Sequence, residues 1–289
     1  MNSLEYELEH SDVGVDLVVK GPWTSACQDV IATGTADGLV LNAAFGFSEP
    51  NLGFIDAWPI TRLKVLARNI SDLSPVYRLS GTLRELDVLT APPASLDLSR
   101  LPKITSLGAD WGQVSDTLST LEELKTVFLR HFSSTDLKTF AANSVIESIR
   151  LKDRPKLISL DGQQDLTHLT EVGVYLATAL RDISALGLVT APLQKLELVA
   201  CKGIRDVRPL KGLTTLKFLN LGDCGEIDSI RPLSGLQELE EFHGYGSTKI
   251  GDGDLSPLLQ LPRLRTVSLQ SRKNYTPSLQ TVMESLHLR

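Results

Sequence analysis

The sequence predicts an α/β solenoid: short parallel strands, one per repeat, stacked into one sheet and joined by tight 3₁₀ or irregular turns. Three observations predict it. First, Leu193, Leu196, Leu198, Cys201 and Ile204 recur 23 residues later as Leu216, Leu219, Leu221, Cys224 and Ile227, and Arg208-Pro209-Leu210 recurs at the same interval as Arg231-Pro232-Leu233. Second, an apolar triad with its last two members alternating recurs along the chain: Ile60/Leu63/Val65, Leu83/Leu86/Val88, Ile104/Leu107/Ala109, Leu124/Val127/Leu129, Ile146/Ile149/Leu151, Leu169/Val172/Val174, Leu193/Leu196/Leu198, Leu216/Leu219/Leu221, Leu239/Phe242/Gly244 and Leu264/Val267/Leu269. The third members step by 20 to 25 residues, the period of a strand-and-turn repeat. Third, 289 residues with 42% hydrophobic and 22% charged side chains suit a soluble protein with a long core.

Residues 1–38 read as an N-terminal cap. Leu4, Tyr6 and Leu8 alternate, as do Val13, Val15, Leu17 and Val19; a turn at Gly21-Pro22-Trp23 and a helical stretch from Thr24 toward Thr33 follow. Residues 39–270 form the solenoid, about ten repeats, with Leu39-Val40-Leu41 as an irregular opening strand. In each repeat the last two triad members alternate along a strand and point inward, so no repeat encloses its own leucines and stacked neighbours must do so. In the second half of the repeat, Ile204, Val207 and Leu210, like Ile227, Ile230 and Leu233, lie three apart, the spacing at which side chains of a 3₁₀ turn align. Proline early in that turn lacks only a donor the turn does not need, and Gly212 or Gly235 suits its exit. Residues 271–289 complete the chain, with Leu279, Val282, Met283 and Leu286 at the spacing of a cap helix over 278–288.

These repeats resemble leucine-rich repeats of the bacterial internalin-like class over roughly Ile60 to Leu269. The resemblance implies a horseshoe with a parallel concave sheet. The segment Gly251-Asp252-Gly253-Asp254-Leu255-Ser256-Pro257-Leu258-Leu259 is similar to the closing repeats of an uncharacterised group of intracellular bacterial leucine-rich-repeat proteins, which implies a free-standing solenoid and brings no established ligand.

The chemistry that the sequence excludes is broad. A net charge of −6 argues against general nucleic-acid binding. The acidic start and the absence of any long apolar run predict neither a secretion signal nor a membrane span, and hence a cytoplasmic bacterial protein. Cys201 and Cys224 share one repeat position and read as buried reduced thiols, the other readings being a disulfide or a metal pair that lacks further ligands; Cys27 stands alone. Asp252 and Asp254 lack the remaining ligands of a calcium loop and read as a turn. Five dispersed histidines and no phosphate-cradling glycine motif predict no catalytic residue, no metal and no cofactor.

The concave face carries what functional information there is. The position between the two inward residues reads Lys64, Asp87, Gly108, Phe128, Arg150, Gly173, Glu197, Asn220, His243 and Ser268; the position after them includes Arg130, Lys152, Tyr175 and Tyr245. Trp111 lies one place further, at the rim. Trp111, Phe128, Arg130, Arg150, Lys152 and Tyr175 form one expected contact strip, and Phe218, His243 and Tyr245 a second. Aromatic and arginine side chains dominate protein-interface hot spots because they bring large area on few rotors. The expectation is therefore a non-enzymatic protein-binding module, with a cognate toxin as a concrete partner and an immunity or antitoxin role; the alternative is a scaffold or regulatory sensor for a peptide or small ligand. The basic triplet Arg130, Arg150 and Lys152 predicts a partner presenting carboxylates.

Overall fold

The structure is a computed structural model describing residues 5–91, 94–143 and 145–287. Leu4 and Leu288, read above as cap residues, lie outside the described residues. The chain divides into two compact units, Met1–Leu129 and Arg130–Arg289. Each is the expected solenoid of parallel strands, one per repeat, joined by short 3₁₀ turns.

In the first unit, β1 (Tyr6–Ser11) and β2 (Gly14–Val19) form an antiparallel hairpin. Val13 is not a strand residue as the alternation suggested: it sits at the hairpin turn, 66% exposed. Helix α1 (Ser25–Ala32) follows, and the Thr24 hydroxyl accepts the Cys27 amide at its start, meeting one of the amides that a helix N-terminus leaves without a partner. Strands β3 (Gly38–Asn42), β4 (Arg62–Leu66), β5 (Glu85–Leu89), β6 (Ser106–Asp110) and β7 (Thr126–Arg130) continue the ladder, with the one-turn helix α2 (Trp111–Val114) after β6. Leu39, Leu63, Leu86 and Leu107 stand side by side, as do Leu41, Val65 and Val88, so the opening strand is in register with the repeats. All are buried, each such side chain stabilising by about 1.5–3 kcal/mol relative to exposure.

The second unit holds β8 (Ser148–Lys152), β9 (Glu171–Tyr175), β10 (Lys195–Val199), β11 (Phe218–Asn220), β12 (Glu226–Ile227), β13 (Glu241–Gly244), β14 (Lys249–Ile250), helix α3 (Ser256–Leu259), β15 (Thr266–Leu269) and helix α4 (Leu279–His287). Its sheet runs β8-β9-β10-β11-β13-β15, while β12 and β14 pair as a second small parallel ladder on the return turns. Ile149, Val172, Leu196, Leu219, Phe242 and Val267 are aligned in the core. The triads read from the sequence are thus the inward residues.

Two repeat-position devices complete this unit. Where the chain leaves β7, β8, β9, β10 and β11, His131, Asp153, Leu176, Ala200 and Asp223 adopt positive φ of 53–64°, and Gly246 does the same after β13. Amide ladder bonds persist there, as from Leu176 to the Val199 carbonyl at 2.9 Å. One place on, or two after Gly246, buried polar side chains reach a carbonyl of the previous repeat: Cys201 Sγ to Val174, Cys224 Sγ to Leu198 and the Thr248 hydroxyl to Leu221. Cys201 and Cys224 are buried free thiols, as expected, and burial pushes their pKa up to about 12 and about 11.

Carboxylates also set the turns. Asp72, Asp136, Asp182, Asp206 and Asp254 each accept the amide two residues on, fixing the start of the following turn. Asp254 caps α3 in this way and Asp252 accepts the Asp254 amide, so the acidic pair near the end serves the turn. Among the described residues no cluster of potential metal ligands occurs, and no helix is long and apolar enough to cross a membrane.

Candidate partner-binding face

Strand alternation builds the face. With Leu196 and Leu198 inside, Lys195, Glu197 and Val199 are half-buried on the other side of β10, and parallel register repeats this strand by strand. Two columns result in the second unit: Ser148, Glu171, Lys195, Phe218, Glu241 and Thr266; then Arg150, Gly173, Glu197, Asn220, His243 and Ser268. Tyr175 and Val199 align in a third, to which Lys152 and Tyr245 belong by repeat position.

The side chains of these columns engage one another. Arg150 Nη2 pairs with Glu171 Oε2 at 3.1 Å, and the Ser148 hydroxyl reaches the same oxygen. The Tyr175 hydroxyl donates to Glu197 Oε2 at 2.7 Å, and Lys195 Nζ lies 3.3 Å from that oxygen. Burial and the Glu197 carboxylate hold the Tyr175 phenol well above its ordinary pKa. Lys152 Nζ sits 4.8 Å from the centre of the Tyr175 ring and Lys195 Nζ 5.1 Å from that of Phe218. The Phe218 and His243 rings are 5.0 Å apart, and His243 Nε2 lies 3.1 Å from Glu241 Oε2.

Glycines let the tyrosines lie flat. A Cβ on Gly173 would come within 2.9 Å of the Tyr175 ring, and one on Gly222 within 2.4 Å of the Tyr245 ring. Beside them the buried Asn220 carboxamide accepts the Gly222 amide at 2.9 Å, which orients it.

The structure therefore brings Arg150, Lys152 and Tyr175 together with Glu171 and Glu197, and Phe218 together with His243 and Glu241. Tyr245 is 38% exposed on the same face, whereas Arg130 is only 8% exposed. The expected basic triplet is not an open patch of positive charge, because Arg150 is ion-paired and Arg130 is largely withdrawn from solvent. Phe128 and Trp111 belong to the first unit: Phe128 is half-buried on β7, and Trp111, half-buried, begins α2 rather than continuing a strand. Sequence reasoning missed Lys195 and Glu241. The signal was available, since both occupy the column of Phe218.

No protein-family model and no curated protein matches the sequence. Solved structures do. An internalin from Listeria monocytogenes is 24% identical, with 73% of this chain and 61% of that chain covered and a TM-score of 0.56. The mouse RP105/MD-1 complex is 17% identical, with 88% of this chain and 45% of that chain covered and a TM-score of 0.54. This chain thus spans less than two thirds of the length of either. At these identities the likeness is one of fold, and the fold is a leucine-rich-repeat solenoid.

Proposed function

We propose that the chain is a non-enzymatic protein-binding module that grips its partner with the sheet face opposite the leucine core. The observation that carries this reading is the set of aromatic side chains that Tyr175, Phe218, His243 and Tyr245 place on one face, spread over its three outward columns, held by neighbouring charges and glycines and still partly open to solvent. Side chains already ordered lose little freedom on binding, the cost that otherwise erodes affinity. A similar fold was crystallised in the RP105/MD-1 complex, in keeping with a binding role. In the first unit the same reading assigns Trp111 and Phe128, and in the second Arg130, Arg150 and Lys152, as partner contacts. Residues 39–270 are the binding solenoid and 1–38 and 271–289 its caps. A cytoplasmic bacterial immunity protein occluding a toxin is the concrete form proposed, in keeping with the uncharacterised intracellular group that its closing repeats resemble.

The test is affinity for a partner identified by cross-linking in the native host. Phe218→Ala and Tyr245→Ala should each cost about 1–3 kcal/mol of binding with melting unchanged. Intact affinity in both, with loss on Arg208→Ala in the return turns, overturns the reading. The immunity role is checked separately by whether co-expression rescues growth from a toxin-like neighbouring gene product.

A further inference from the structure

The hairpin that opens the first unit leaves a strand edge unpaired. Among the described residues β1 has one neighbouring strand, β2. The Lys20 amide donates to the Glu5 carbonyl at 2.8 Å, and antiparallel alternation then turns the backbone of Glu7, Glu9 and Ser11 toward Val18, Asp16 and Gly14. The N–H and C=O groups of Tyr6, Leu8 and His10 therefore point away from β2, and no described residue bonds them. The register runs from Tyr6 to Ser11 without a bulge and the strand holds no proline, so neither of those devices interrupts the edge. Arg62 holds the hairpin steady through Asp16 and the Val13 carbonyl.

The side chains state what such an edge can pair with. On the leucine side Tyr6 and Leu8 are half-buried, opposite the buried Val19 and Leu17. On the other side Glu5, Glu7 and Glu9 form an exposed row in which Lys20 answers Glu7, while the carboxylates of Glu5 and Glu9 have no partner among the described residues. That row bars a second copy of the chain. Any antiparallel pairing of two β1 edges sets Tyr6, Leu8 and His10 against one another, hence glutamate against glutamate, and like charges directly opposite are destabilising. The same row favours cations.

We propose that the open edge of β1 takes up an extended segment of a partner protein as an added antiparallel strand, its residues alternating apolar, beside Tyr6 and Leu8, with basic, opposite the glutamates. This edge is distinct from the aromatic face proposed above, and each can fail without the other.

The probe is an acetylated heptapeptide amide in which lysine alternates with valine, titrated into the full chain while backbone amides are followed by NMR. Saturable shifts centred on Tyr6, Leu8 and His10 are expected. The valine amides would face β1 and the lysine amides would face away, so N-methylation of the valines should abolish binding while N-methylation of the lysines should spare it. Glu5→Gln and Glu9→Gln should each weaken the peptide by about two- to fivefold, the range of one cross-strand charge pair. Leu8→Pro removes an amide that β2 does not use and should abolish binding with the β2 and β3 amides unmoved. Equal binding of a glutamate–valine peptide, equal binding of the valine-methylated peptide, or no shift at Tyr6, Leu8 and His10 overturns the proposal. Concentration-dependent shifts at those amides without peptide would make a second copy the occupant, and overturn it too.

Discussion

Arg62 ties the hairpin cap to the first repeats. Its guanidinium donates to Asp16 Oδ1, to both oxygens of Asp37 and to the Val13 carbonyl, all at 2.7–3.1 Å, and only 8% of its side chain is exposed. Removing one partner of a buried pair strands the other charge. Arg62→Met should cost about 2–4 kcal/mol in a denaturation titration, below the full range for a buried pair because Asp37 is 42% exposed. The pH sign follows from Asp37, whose carboxyl is held below its ordinary pKa by the hydrogen bonds from Arg62, against a smaller opposing effect of burial. The unfolded chain takes up that proton first as pH falls. The contribution is therefore complete above about pH 4, the ordinary carboxylate value, and is lost as pH drops through the lowered folded one. Arg62→Met should flatten stability over that acid window, and an unchanged acid limb would contradict the clasp. None of this was legible in the sequence: Arg62 lies 46 residues from Asp16 and 25 from Asp37, and no periodic pattern links them. The leucines were legible because a single slip would turn every one of them to solvent, which ties the pattern to the register.

Six successive repeats, up to that of β13, leave their strand through a left-handed residue, and five of those six residues carry a side chain. That geometry costs an L-residue roughly 1–2 kcal/mol, while glycine adopts it freely at a cost in unfolded-state entropy of roughly 0.5–1 kcal/mol. Leu176 is the clearest case, with φ of 64° and 46% of its surface exposed, so little burial is lost on truncation. Leu176→Gly should hold or raise the unfolding free energy by up to about 1 kcal/mol, and Leu176→Val, β-branched in the same conformation, should lower it. Equal losses in both would show that the side chain matters more than the backbone. The sequence hid this column because only Gly246 advertises it. The turn carboxylates, by contrast, could have been found: Asp72, Asp182, Asp206 and Asp254 all stand two residues before a serine or arginine that opens a turn, a spacing overshadowed by the leucines. On the outward face the sequence supplied the columns but not the pairings within them. Whether Arg150 meets Glu171 or solvent depends on rotamers and on charges one repeat away, information that no strand carries alone.

At the scale of the whole chain, stability in a solenoid is a sum of repeats and nearest-neighbour interfaces, so damage should spread by adjacency. Leu219 tests this. It is fully buried on β11, between Leu196 and Phe242, and a carboxylate there would be unpaired in an apolar core. Leu219→Asp should abolish amide-exchange protection across β10, β11 and β13, whose ladders depend on that contact. Protection at β3, β4 and β5 should persist, because those strands build their core from Leu39, Leu63 and Leu86. The pattern also separates two accounts of how the fold is held. Uniform loss of protection along the chain would mean that repeats far apart unfold as one cooperative body. Unchanged protection around Leu219 would mean that the inward register, on which the outward placement of Glu197, Phe218 and His243 depends, is wrong.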